Sequence, residues 1–503
     1  MRIGTVIPII TIAFSLCIEA AQEAAAKTEK STWKSHHSIV IQGETVEYDA
    51  VIGSITLRND EEKDSAELFY TAYFRTGTDG PANRPILFSY NGGPGSASFW
   101  LHMGIMGPRR VVTPNVGQQD PPPYPLVDNE YTLLDRADIV MIDPVGTGFS
   151  HPIGETPGKD FWGIDEDAAS LTQFVQRFLS QTGRWNSPRY LLGESYGTTR
   201  SAVLGAHLQR ANIDLNGIIL VSAVLDFKTL DFPPGADIPY IVNLPSYAIT
   251  AAYHNALPGT RPKDLEKFMQ EVEAWSLNDY ATTLIAGATV DAKKRNRVLQ
   301  QMHNYTGLDS DFLDKADLRV SASEFRKELL RQRGLAVGRL DSRFTGPTGD
   351  LLQTTPSHDP QSSAISSAYT SAFNTYVRDE LGYDGEREYT PSGAARPWNW
   401  KRAGEGQNSR GRTPNVAPDL AGALYRNPKL EVLLINGIYD LATPYFAAVW
   451  TMDHLGLPPD LRANIQRADF AAGHMMYVEE SLLPQWKQTL DGFIQRTSGR
   501  AAP

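Results

Sequence analysis

The sequence predicts an α/β fold, with a mostly parallel central sheet, helices on both of its faces, antiparallel strands at the N-terminal side and a large helical insertion. Three observations predict it. Short apolar runs at 86–90, 138–142, 189–192 and 217–223 alternate with amphipathic stretches at 165–181 and 198–209, the grammar of parallel strands joined by covering helices. That alternation stops after Asp226 and resumes near Lys429. The third run leads straight into Gly193-Glu194-Ser195-Tyr196-Gly197 and then a helical stretch, so a serine sits at the apex of a strand-to-helix turn.

The chain has 503 residues, ample for one large domain carrying an insertion. Its net charge of -11 makes nucleic acid and anionic membranes poor partners. The expected division is a signal peptide over 1–26, a first part of the α/β core over 27–226, a mostly helical cap insertion over 227–428, and the second part of the core over 429–503.

The leader reading rests on Met1-Arg2, a predominantly apolar stretch from Ile3 to Ile18, and a following small-residue region that offers several alanines for cleavage. The apolar run is short for a membrane span of about 20 residues, and Pro8 interrupts it. Cys17, the 1 cysteine of the chain, would be the lipid site of a bacterial lipoprotein, but Leu16 is larger than such a site needs. Removal of the leader leaves no thiol and no disulfide, which suits a secreted or periplasmic bacterial protein with no membrane attachment. Asn304-Tyr305-Thr306 matches a glycosylation sequon and reads as a chance match.

Along the chain, 39–41, 51–57 and 68–74 are rich in β-branched and aromatic residues and read as antiparallel strands. The parallel strands follow, the first running into Asn91-Gly92-Gly93-Pro94-Gly95 and the second into Asp143-Pro144-Val145-Gly146. In the insertion, helical periodicity marks 263–275, 291–303, 323–333 and 366–379, with capping-box spacing at Ser321 and Glu324. The stretches 338–363 and 382–414 read as loops. Strands return at 430–435 and 463–468, and a helix over 483–495 closes the domain.

A serine hydroxyl needs a base, and the base needs an acid that fixes its tautomer. In a doubly wound sheet these groups belong just past the C-terminal ends of strands. Asp440 follows the strand at 430–435, although a turn or helix N-cap role would also suit it. His474 follows the last strand in Gly473-His474-Met475. The order Ser195, Asp440, His474 is that of an α/β-hydrolase. The glycines after the first parallel strand leave amides free for an oxyanion hole, with Gly93 N–H and Tyr196 N–H as its donors. A phosphate loop is disfavoured, since the stretch lacks the Lys-Ser/Thr ending of a Walker motif. No zinc-type ligand spacing is present, and the chemistry requires neither metal nor cofactor.

From about residue 86 to 486 the sequence resembles the serine carboxypeptidase family of α/β-hydrolases. The resemblance rests on Asn91-Gly92-Gly93-Pro94-Gly95-Ser96, Asp143-Pro144-Val145-Gly146-Thr147-Gly148-Phe149-Ser150, Gly193-Glu194-Ser195-Tyr196-Gly197 and Gly473-His474-Met475. It implies an α/β-hydrolase fold and hydrolysis of the C-terminal bond of a peptide through an acyl-Ser195 intermediate. His474 would then be the general base and acid, Asp440 its orienting partner, and Gly93 and Tyr196 the oxyanion-hole amides. It also implies a site for the substrate's carboxylate, to which Asn91, Gly92 and Glu194 would contribute. Three departures stand out. Ile105 occupies the place of a second Glu and Ser89 that of a Trp, and the family's disulfides are absent. The alternatives are an esterase or acyltransferase with the same triad, and more remotely a non-catalytic binding protein on the hydrolase scaffold.

Overall fold

The computed structural model describes residues 32–78, 80, 83–393, 395–402 and 413–499. The expected leader, with Cys17, lies outside them. Strands β1 (Thr32–Ile41), β2 (Glu44–Arg58) and β3 (Asp64–Arg75) form an antiparallel meander, as their β-branched and aromatic content predicts. Six parallel strands continue the sheet: β4 (Ile86–Tyr90), β5 (Asp138–Ile142), β6 (Arg189–Glu194), β7 (Gly217–Val221), β8 (Glu431–Gly437) and β9 (Ile465–Phe470). Their spatial order is β1-β2-β3-β5-β4-β6-β7-β8-β9, with the short strand His151–Pro152 pairing β3 as the tenth member.

Strand alternation explains why the central runs are apolar throughout. In β7, Ile219 and Val221 enter the cluster on one face while Ile218 and Leu220 enter that on the other. The same split places Leu87, Leu192 and Ile435 on the first face, and Phe88, Leu191 and Leu434 on the second. Helices α1 (Ile164–Thr182) and α2 (Tyr196–Arg210) cover the second face. Helix α1 opens with Asp165, Glu166 and Asp167, where acidic groups favour the helix dipole, and closes at Gly183 with φ 69°.

The insertion divides between two bodies of apolar contact. Helices α3 (Ile238–Tyr253), α4 (Leu265–Trp275) and α5 (Ala292–Thr306), with the short helices up to residue 328, pack around a cluster of their own that includes Leu244, Tyr247, Val272, Met302 and Phe325. Helix α6 (Pro360–Thr375) instead packs Ile365, Ala368 and Tyr369 into the first face of the sheet. Helix α7 (Ala417–Arg426) packs Leu420 and Leu424 into the second. Helix α3 is absent from the periodicity-based reading because it is apolar nearly all round and contains Pro245. Burial between two clusters outweighs the lost hydrogen bond. The helix expected over 323–333 ends sooner, at Glu328, and a tight 3₁₀ turn at Arg331–Arg333 leads to Gly334. Its N-terminus carries the expected capping box, Ser321 with Glu324. Helices α8 (Tyr445–Asp453) and α9 (Leu483–Thr497) complete the core.

Candidate active site

Ser195 stands between β6 and α2 with φ 61° and ψ -128°, a conformation that costs a residue with a Cβ about 1–3 kcal/mol. The surroundings hold it there. Its amide donates to Val221 O at 2.9 Å, and its carbonyl accepts from Thr198 N at 2.8 Å. A Cβ on Gly193 would lie 2.1 Å from Gly197 O, so the two arms of the turn meet only because that position is glycine. From Tyr190 to Arg200 every residue is buried except Ser195, so the turn presents that one side chain.

Asp440 and His474 leave the ends of β8 and β9. Asp440 is fully buried and uses both carboxylate oxygens. Oδ1 accepts from Ala442 N at 2.7 Å and Thr443 N at 3.0 Å, while Oδ2 accepts from Thr443 Oγ1 at 2.8 Å and lies 2.7 Å from His474 Nδ1. A carboxylate on Nδ1 fixes the tautomer with the proton on Nδ1 and leaves Nε2 as an acceptor. Burial pulls the His474 pKa down, but the charge and hydrogen bond of Asp440, aided by Glu194, hold it above its ordinary value.

The loops are tied to one another through Ser222, just past β7. Its amide donates to Ile435 O at 2.8 Å, its hydroxyl donates to His474 O at 2.8 Å, and its carbonyl lies 2.9 Å from Thr443 Oγ1. Ser195, Asp440 and His474 therefore hang from the ends of β6, β8 and β9, with Ser222 past the intervening β7 tying the last two loops together. Among the described residues the Ser195 hydroxyl has no hydrogen bond to the imidazole, a contact that in empty sites is often long.

The Gly93 amide has no protein acceptor among the described residues, and that of Tyr196 opens helix α2, where the first N–H groups lack intrahelical partners. Gly92 is buried, and its carbonyl accepts from Ser96 N at 3.1 Å. Asn91 Nδ2 donates to Glu194 Oε1 at 2.8 Å, and Asn91 Oδ1 accepts from Leu101 N at 3.0 Å. Burial pushes Glu194 up to about 7, against the opposing pull of His474, Tyr477 and Asn91. Ile105 is buried in the apolar cluster on the first face of the sheet, and Ser89 is buried in β4 with its hydroxyl unpartnered among the described residues.

Several residues that the sequence did not single out shape this site. Thr443 bridges Asp440, Ser222 and the imidazole, with Oγ1 3.2 Å from His474 Nδ1. A strap from the insertion, residues 339–343, runs between the two loops. Leu340 O accepts from His474 N at 2.6 Å, Asp341 Oδ2 accepts from Gly473 N at 3.1 Å, and Arg339 O accepts from Leu441 N at 3.0 Å. Arg343 secures the strap by donating to Asp341 Oδ2 at 2.7 Å, to Glu479 Oε2 at 3.0 Å and to Ala471 O at 3.0 Å. Tyr477 lies three residues past His474, a spacing that marks proximity without specifying a role.

The sequence profile described as serine carboxypeptidase matches residues 44–482. The chain belongs to the serine carboxypeptidase family. Serine carboxypeptidase-like 12 of Arabidopsis thaliana is 27% identical over 179 residues, which cover 33% of this chain and 39% of that protein. The pheromone-processing carboxypeptidase KEX1 of Saccharomyces cerevisiae is 32% identical over 133 residues, covering 25% of this chain and 17% of that protein. These matches span well under half of the relatives' own length. The crystal structure of yeast KEX1(DELTA)P, a prohormone-processing carboxypeptidase, aligns over 90% of this chain and 91% of that one with a TM-score of 0.54 at 18% identity, a likeness of fold. As a member of the family this chain has the α/β-hydrolase fold, with antiparallel strands preceding a mostly parallel sheet.

Proposed function

We propose that this family member is an exported serine carboxypeptidase that releases C-terminal residues from peptides through an acyl-Ser195 intermediate. The observation that carries the reading is the 2.7 Å pairing of His474 Nδ1 with Asp440 Oδ2 at strand ends beside the strained Ser195. His474 Nε2 takes the Ser195 proton as Oγ bonds to the scissile carbonyl carbon. The oxyanion that forms is met by the amides of Gly93 and Tyr196. As the C–N bond breaks, the imidazolium returns the proton to the leaving amine, and the free C-terminal residue departs. Water then adds to the acyl carbon with His474 as base, and Ser195 leaves protonated. Asn91 and Glu194 hold the substrate's terminal carboxylate, Glu194 doing so in its neutral form. The apolar leader accounts for export to the periplasm or the exterior.

A second reading, an esterase or acyltransferase with the same triad, is favoured by Ile105 and Ser89 at the positions of the family's second Glu and its Trp. Blocked dipeptides with free and amidated C-termini separate the two. A carboxypeptidase cleaves the free acids at least about tenfold faster in kcat/KM, and Ser195→Ala abolishes turnover with the fold intact. Equal cleavage of both substrates contradicts carboxylate recognition, and undiminished turnover by Ser195→Ala contradicts the whole mechanism.

A further inference from the structure

Glu194 and Tyr477 leave two polar atoms unsatisfied in the interior beside His474. Glu194 is 3% exposed and Tyr477 4% exposed. Among the described residues, neither Glu194 Oε2 nor Tyr477 Oη has a hydrogen-bond partner. The two groups are neighbours: the phenol draws the Glu194 pKa down, and the Glu194 carboxyl raises that of the phenol. Buried polar groups are nearly always paired, and an unpaired one in a site calls for a ligand.

The backbone is shaped around this tyrosine. Gly104 lies in the π-helical turn His102–Met106, and a Cβ on it would stand 2.2 Å from Tyr477 Cδ2. The ring therefore packs on Gly104, and the next residue along the chain, Ile105, can supply no hydrogen bond from its side chain. Phenol and neutral carboxyl together offer two O–H donors, and the Asn91 amide adds N–H. A carboxylate, an acceptor at both oxygens, is the complement of that set.

We propose that Tyr477 is the specificity-determining donor for the substrate's C-terminal carboxylate, standing in for the acid that Ile105 replaces. The proposal rests on the carboxypeptidase reading. A neutral phenol on a rigid ring binds an anion without bringing a second acid next to Glu194, whose mutual repulsion would otherwise have to be relieved by sharing a proton.

The test is Tyr477→Phe, which keeps the ring packed on Gly104 and removes only the hydroxyl. Rates are taken per active site titrated with a fluorophosphonate, so that misfolded protein does not enter. The readout is kcat/KM for a blocked dipeptide acid divided by that for its amide. This ratio should fall about tenfold or more, through a rise in KM for the acid. A wild-type preference for the acid that survives in Tyr477→Phe overturns the role of Tyr477 and leaves the carboxypeptidase reading standing. A wild-type ratio near one overturns both.

Discussion

The amide of His474 donates to the carbonyl of Leu340 at 2.6 Å, so the strap from the insertion holds the loop that carries the imidazole. Beside this bond, Asp341 takes the Gly473 amide and is itself clamped by Arg343, which also reaches Glu479. The insertion thus helps to position the His474 loop.

Arg343→Met leaves the buried carboxylates of Asp341 and Glu479 without their cation. Removing one partner of such a pair costs about 3–5 kcal/mol. Thermal unfolding should shift down by several degrees, and kcat per titrated site should fall as the His474 loop loosens. An unchanged Tm and kcat would mean that the strap carries no load.

Asp440→Asn keeps the volume but offers an amide to His474 Nδ1, which favours the tautomer with the proton on Nε2. The rate should drop by about 10⁴-fold while the Tm changes little, as expected of a wrong tautomer. A loss under tenfold in steady-state kcat would show that His474 is oriented by Thr443 and the strap alone.

In the proposed mechanism Glu194 holds the substrate carboxylate in its neutral form, and burial has raised its pKa to about 7. The groups facing it are His474, Asp440, Tyr477 and Asn91. Neutral His474 is needed as base and becomes available as pH rises through its pKa, which is itself raised. The kcat/KM for free-acid substrates should therefore climb with His474 and fall above about pH 7 as Glu194 ionises. Because the two groups interact, the limbs belong to the pair. An ester without a carboxylate should lack the alkaline limb, and Glu194→Gln should remove it for acids. A falling limb shared by acid and ester alike would assign it elsewhere.

Gly193→Ala places a Cβ 2.1 Å from Gly197 O, a clash with backbone that no rotamer relieves. Overpacking of this kind costs about 1–3 kcal/mol or more. The variant should melt lower and lose Ser195 labelling. Native labelling at native Tm would contradict the account of the elbow.

The parallel strands and the order of Ser195, Asp440 and His474 were legible because each rests on a local signal, an apolar run ending in a turn. The two-faced apolar character of β7, for instance, can be read directly from Ile218 to Val221. Helix α3 was not legible, since Pro245 and an all-round apolar surface erase the periodicity that marks a helix. The strap was closed to sequence reading for another reason. Asp341 meets Gly473 across 132 positions of chain, and neither residue carries a pattern that points to the other. Ile105 was visible as a departure from the family pattern. The packing of Tyr477 on Gly104 carries no signal in the sequence.

Ser195 as the sole acylated nucleophile is tested most directly by mass mapping after stoichiometric inactivation with a fluorophosphonate. The account predicts one adduct, on Ser195, with turnover of blocked dipeptides lost in proportion to labelling. An adduct on another residue, or turnover that survives full labelling of Ser195, would contradict it.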